Sequence, residues 1–202
     1  MPEHIGLRYL LRIICPKYIT IEELRLICDQ FCRSLEPNRQ VLWSGMLRDK
    51  AQEWADRHQS QTLTTALGPL KALEMSKKGQ ARSRFMKGAS AIFSWFISQG
   101  DSVVVLLPPP PNQFHPSGLT NLQDFEMPIV KGLLQDGSVR RIDAIHPEAA
   151  TEEARNSSHQ IWPYDETTSW VDRFGVGPRA RAWRAVSSRL SMIKCVLAVR
   201  SR

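Results

Sequence analysis

Residues 85–126 read FMKGASAIFSWFISQGDSVVVLLPPPPNQFHPSGLTNLQDFE, and their order decides the fold. Residues 85–98 are apolar on nearly every side, which predicts a largely buried helix. Gly100 marks its end. Residues 102–107 form a continuous β-branched and Leu run, the mark of a strand covered on both faces. Four prolines, residues 108–111, make a stiff extended exit. A polar loop follows, and then a lone carboxylate, Glu126. In α/β sheets, ligands bind beyond the carboxyl ends of strands. Glu126 is therefore the first candidate for chemistry.

Upstream, Thr20 followed by Glu23 is the capping-box pattern for a helix start. Leu24, Ile27, Cys28, Phe31 and Leu35 then share one face at helical spacing, and Pro37 closes the run. A second helix is predicted over residues 40–58, with Leu42, Trp43, Met46, Leu47, Ala51 and Trp54 as its apolar stripe. Residues 62–70 read as a short helix or turn ended by Gly68-Pro69, and residues 76–84 as a flexible basic connector. Downstream, residues 122–134 suggest a helix interrupted near Pro128. Residues 140–145 suggest a second strand and residues 160–164 a third. Strands alternating with helical connections predict a small parallel sheet. The expected class is α/β: a helical N-terminal half packed on a C-terminal half whose small parallel sheet is flanked by helices. The expected division is a helical subdomain over 1–100, an α/β subdomain carrying Glu126 over 101–172, and a basic helix or tail over 173–202.

The net charge of +7 suggests a nucleic-acid footprint, but its distribution argues otherwise. Eight Lys or Arg and no acid fall in residues 173–202, leaving nineteen cations against twenty acids in the rest. The body is nearly neutral and the excess belongs to a tail, usually a solvated extension. Such a tail can also touch nucleic acid or anionic membrane, through a basic amphipathic helix. The four cysteines, Cys15, Cys28, Cys32 and Cys195, have no zinc spacing. No metal site is predicted. The apolar run near residues 7–15 is broken by Arg12 and too short to span a bilayer, so a cytoplasmic protein is expected.

The fragments Leu42-Trp43-Ser44, Thr62-Leu63, FMKGASAIF (85–93), Val103 to Leu107 and Glu126 stand in a telling order. Together they resemble the ADP-ribosyl cyclase / NAD glycohydrolase family. That resemblance covers about residues 42–146. It places Ser90 on the family's active-site serine and Glu126 on its catalytic glutamate. Trp43, Ser44, Thr120 and Asn121 are the further candidates for binding the substrate. The chain departs from the pattern at three positions. Thr64 stands where an active-site acid follows the threonine-leucine pair, Gly45 where an arginine follows the Trp-Ser pair, and Met86 where a second tryptophan is expected. The disulfides of the animal members are absent. The resemblance implies cleavage of NAD⁺ as a substrate, with no further cofactor, to nicotinamide plus ADP-ribose or cyclic ADP-ribose.

The chemistry suits these residue types. Breaking the nicotinamide–ribose bond develops an oxocarbenium ion, which one placed carboxylate can stabilise. Nicotinamide departs neutral from a cationic ground state, so no general acid is needed. An indole such as Trp43 can stack on a flat ring, and Ser90, Thr120 and Asn121 supply neutral donors. Each residue also has a structural reading. Glu126 reads as a surface acid at a helix start, Trp43 as core, and Ser90 as a small residue permitting close packing. Thr120 and Asn121 read as helix caps. His115 and His146 read as structural rather than as bases, and Trp162 and Trp170 as either cleft or core. The alternative function is a non-enzymatic basic module acting on nucleic acid or anionic membrane through residues 173–202.

Overall fold

A computed structural model describes residues 5–177, with side-chain environments from residue 8 onward. The helix predicted from the capping box is α2 (Ile21–Ser34), preceded by α1 (Ile5–Ile14). Thr20 Oγ1 accepts from the Glu23 N–H, and the Glu23 carboxylate accepts from the Thr20 N–H at 2.8 Å. Two orphan donors of the first turn are thereby satisfied. Ile27 and Phe31 are buried on the inner face.

The segment expected to be one helix over 40–58 divides in two. Val41–Trp43 is a strand, β1, and the helix α3 begins only at Arg48 and runs to Arg57. Val, Leu and Trp suit a pleated half-buried surface, and β1 has a partner: Val41, Leu42 and Trp43 lie opposite Val104, Val105 and Leu106. That pairing outweighs the helical spacing of the same side chains. A short helix α4 (Leu63–Leu67), a 3₁₀ turn (Gly68–Leu70) and α5 (Lys71–Ser76) follow. The basic stretch expected to be a connector is mostly the exposed first turns of α6 (Gly79–Ser98).

After α6 come β2 (Ser102–Leu106), a π-helical turn (Leu122–Glu126), α7 (Met127–Val130) and β3 (Arg141–Ile145). Then α8 (Glu152–Asn156), β4 (Ser158–Trp162) and α9 (Thr167–Phe174) complete the described chain. The sheet order is β1-β2-β3-β4. The first three strands are parallel, and β4 is antiparallel to β3. The protein is thus of mixed α/β class, with helices toward the N-terminus and a mostly parallel sheet toward the C-terminus.

Side-chain alternation along the strands separates the two faces of the sheet. Leu42, Val103, Val105, Leu107, Ile142 and Ala144 enter the main core with Ile27, Phe31, Phe85, Phe93 and Phe125. Val41, Trp43, Val104, Leu106 and Ile145 face the other way, onto Ala51, Trp54 and Ala55 of α3. Central β2 is covered on both faces, as its apolar run predicted. Phe31 meets Phe93 and Phe96 edge-on at 5.7 and 5.8 Å, joining α2 to α6.

Gly88 of α6 packs closely against the segment before α2. A Cβ there would lie 2.5 Å from Cγ2 of the buried Ile19. Gly88→Ala is expected to destabilise the fold by about 1–3 kcal/mol through overpacking, although Ala is the better helix former. Ile19→Ala in the same chain should recover part of that loss. Urea unfolding of both single variants and the double variant measures the coupling, and additive losses would contradict the contact.

Candidate functional site

Ser90 lies in the middle of α6 with almost no exposure, among a run of buried residues from Gly88 to Trp95. Across from it, the π-helical turn directs Asp124, Phe125 and Glu126 inward together. Burial of three consecutive residues means that the turn is enclosed on most sides, and π turns are a feature frequent at functional sites. Ser90 Oγ donates to Glu126 Oε1 in a hydrogen bond that joins residues 36 apart in sequence. Of the six residues singled out from the sequence, these two are in direct contact.

Glu126 is 8 % exposed. Burial removes hydration from its charged form and pushes its pKa up to about 8. The group is therefore held protonated at neutral pH unless positive charge comes beside it. A cation at about 4 Å attracts a carboxylate by roughly 4 kcal/mol at an effective dielectric of 20. A carboxyl with this pKa therefore ionises in response to a cationic ligand.

The other four residues occupy different places. Thr120 caps the turn that carries Glu126: its Oγ1 accepts from the Gln123 N–H at 3.2 Å and donates to Gln123 Oε1 at 3.0 Å. Its carbonyl accepts from the Asp124 N–H at 2.8 Å. Asn121 is half-buried and its side chain makes no capping bond. Ser44 is buried one residue past β1, with its N–H on the Leu106 carbonyl at 3.1 Å. It falls at the carboxyl edge of the sheet. Trp43 is half-buried against the α3 cluster. Of the departures from the family pattern, Gly45 and Met86 are half-buried, and Thr64 accepts from Arg48 Nε at 3.1 Å.

The loop between β2 and the π turn is braced internally. Gln123 Nε2 donates to the His115 carbonyl at 3.0 Å. The His115 ring accepts at Nδ1 from the Ser117 N–H (3.0 Å), and Ser117 Oγ sits 2.6 Å from the same nitrogen. Downstream of α9, the Gly177 N–H donates to the Pro110 carbonyl at 2.7 Å and ties the chain to the proline exit.

His146 and His159 form a second buried polar group, which sequence reasoning missed as a unit. Their rings are 5.1 Å apart, and Trp170 lies 4.6 Å from His146 and 5.8 Å from His159. The His146 Nδ1–H donates to the Leu107 carbonyl at 3.1 Å, and burial pushes its pKa down to about 4. His159 is also lowered, chiefly by burial. Both rings are neutral at pH 7, and they pin the carboxyl ends of β2 and β3 to α9. Trp170 is thereby core, while Trp162 lies beneath the Lys131 ammonium at 5.0 Å.

Among the described residues no His, Cys, Asp and Glu cluster fits a metal ion, and no helix is long and apolar enough to cross a membrane. Cys15, Cys28 and Cys32 are free thiols. Of the basic segment 173–202, only residues 173–177 are described; there Arg173 pairs with Glu153 at 2.5 Å. The expected amphipathic helix lies outside the described residues. No protein-family model matches the chain, and no curated protein matches it either.

Proposed function

We propose that the protein cleaves the nicotinamide–ribose bond of NAD⁺, releasing nicotinamide and leaving ADP-ribose, cyclic ADP-ribose or both. The observation that carries this reading is the Ser90–Glu126 contact: a buried carboxyl gripped by one neutral donor, on the turn that follows a central parallel strand in the chain. The fragment order that resembles the ADP-ribosyl cyclase family supports it independently, because it paired these same two residues from sequence alone.

In this reading the cationic nicotinamide riboside draws the proton off Glu126 as it binds. The carboxylate then faces the positive charge that develops at C1′ as the C–N bond breaks. Both electrons of that bond leave with the nicotinamide nitrogen, so the leaving group departs neutral. Ser90 holds the carboxylate in one rotamer. Water, or the adenine of the same substrate, captures the oxocarbenium ion and loses its proton. The substrate itself supplies every electron the step needs.

The direct test is incubation of the pure protein with NAD⁺ and chromatographic resolution of nicotinamide, ADP-ribose and cyclic ADP-ribose. Absence of nicotinamide release sinks the reading. Ser90→Ala should lower kcat/KM at pH 7 by roughly 10- to 100-fold, the worth of one hydrogen bond to a charged group. It should also move the rising limb of the pH profile to higher pH, since the ionised form loses its donor. A uniform loss at every pH would assign Ser90 to packing instead.

A further inference from the structure

Outside the Ser90–Glu126 pair, the most unusual polar arrangement joins Arg48, Thr64, Glu74 and Arg82. Glu74 of α5 is 1 % exposed, yet two guanidinium groups converge on its Oε1. Arg82 donates from Nε at 3.1 Å and from Nη2 at 2.7 Å. Arg48 Nη1 lies 3.6 Å away, and its Nε donates to Thr64 Oγ1 at 3.1 Å. The second oxygen of Glu74 and Nη2 of Arg48 are both buried and make no hydrogen bond.

The charge does not close. Two arginines share one carboxylate, and the neighbour that takes Arg48 Nε is the neutral Thr64 rather than an acid. The group carries a net positive charge with its acid at the bottom and its bases at the top. Arg48 and Arg82 keep 35 % and 46 % of their side chains exposed. A carboxylate that fixes the guanidinium planes from below removes much of the rotamer entropy that a ligand would otherwise have to overcome. A planar guanidinium so fixed presents paired N–H groups that match phosphate oxygens. A water accepting from Arg48 Nη2 and donating to Glu74 Oε2 would satisfy both orphaned atoms.

We propose that Arg48 and Arg82, held by Glu74 and Thr64, form a phosphate-binding site. Its placement on the substrate rests on the NAD⁺ reading above. Arg48 opens α3 just past the carboxyl end of β1. Arg82 precedes Ser90 on α6 by eight residues, about 12 Å at 1.5 Å per residue. That separation is within the length of a dinucleotide whose C1′ rests at Glu126. The phosphate taken is either the linking diphosphate or a 2′-phosphate on the far ribose.

The test titrates inorganic pyrophosphate into the full chain by calorimetry and follows NAD⁺ and NADP⁺ cleavage in parallel. Arg82→Gln and Arg48→Gln should each weaken pyrophosphate binding by roughly 10- to 100-fold, with a melting temperature showing each variant folded. Arg82→Lys, which keeps the charge and loses the fork, should fall between. A KM raised for both dinucleotides at unchanged kcat identifies the linking diphosphate, and a KM raised for NADP⁺ alone identifies the 2′-phosphate. Pyrophosphate binding and KM both unchanged in the arginine variants would overturn the site, as would a lower kcat at constant KM. If the wild-type chain releases no nicotinamide, the reaction reading fails, while the pyrophosphate titration still decides this one.

Discussion

Replacing Glu126 by Gln is expected to cut nicotinamide release by two to three orders of magnitude or more while making the fold more stable at alkaline pH. Both effects have one cause. The carboxyl is buried, its ordinary value is 4.5, and burial pushes it up to about 8. Below pH 4.5 the group is protonated in the folded and unfolded chains alike, and its contribution to stability is fully present. Between pH 4.5 and 8 the unfolded chain ionises while the folded one holds its proton, so stability falls as pH rises. Above 8 the loss is complete. At about 1.4 kcal/mol per pH unit the loss is roughly 5 kcal/mol at most. Gln has nearly the same shape and never ionises, so the variant escapes this loss. Urea unfolding at pH 5 and pH 8.5 measures it: the stability gap should open toward pH 8.5 in favour of Glu126→Gln, since other titrating groups are common to both proteins. A parallel decline in the two proteins would contradict the burial argument even if activity were lost. A buried carboxyl whose ionisation costs stability in this way is a candidate for a functional group.

The parts of the fold legible in the sequence are those fixed by near neighbours in the chain. Thr20 and Glu23 cap α2 through bonds three residues long, so the motif contains its own structure. The run of residues 102–107 reads as a doubly covered strand because its composition records both faces at once. β1 was not legible for the opposite reason. Leu42 and Trp43 fit a helical stripe locally, and only the pairing with Val104 to Leu106, some sixty residues away, makes them a strand. The antiparallel setting of β4 is equally non-local, since Ser158–Trp162 carries no sign of direction. The same division runs through the candidate site. Glu126 stood out by its place after a strand, and Ser90 only through the family resemblance. Arg48, Glu74 and Arg82 stand 26 and 8 residues apart with no motif. Their convergence exists only after α3, α5 and α6 pack. The His146–His159–Trp170 group follows the same logic, for His146 sits just past β3, His159 lies in β4 and Trp170 in α9.

Phe125→Ala should be the most damaging truncation near the site, costing about 3–5 kcal/mol of stability. That is a large share of the 5–15 kcal/mol typical of a folded domain. Phe125 is 1 % exposed, seated in the main core with Phe85 and Phe93, and lies between the buried Asp124 and Glu126. Two polar side chains can be drawn inward by a short π turn only if an apolar anchor between them offsets their desolvation, and Phe125 is that anchor. Its truncation therefore acts on the chemistry through position. A displacement of the order of 1 Å at Glu126 costs about a hundredfold in rate. Phe125→Leu keeps most of the anchor's volume and separates the two effects. It should lose little more than about 1 kcal/mol and retain most of the nicotinamide release. Denaturant midpoints and initial rates for the two variants, taken where both are folded, test this. Equal activity in Phe125→Ala and the wild type would mean that the turn holds Glu126 without the anchor, and that the Ser90 hydrogen bond alone positions the carboxylate.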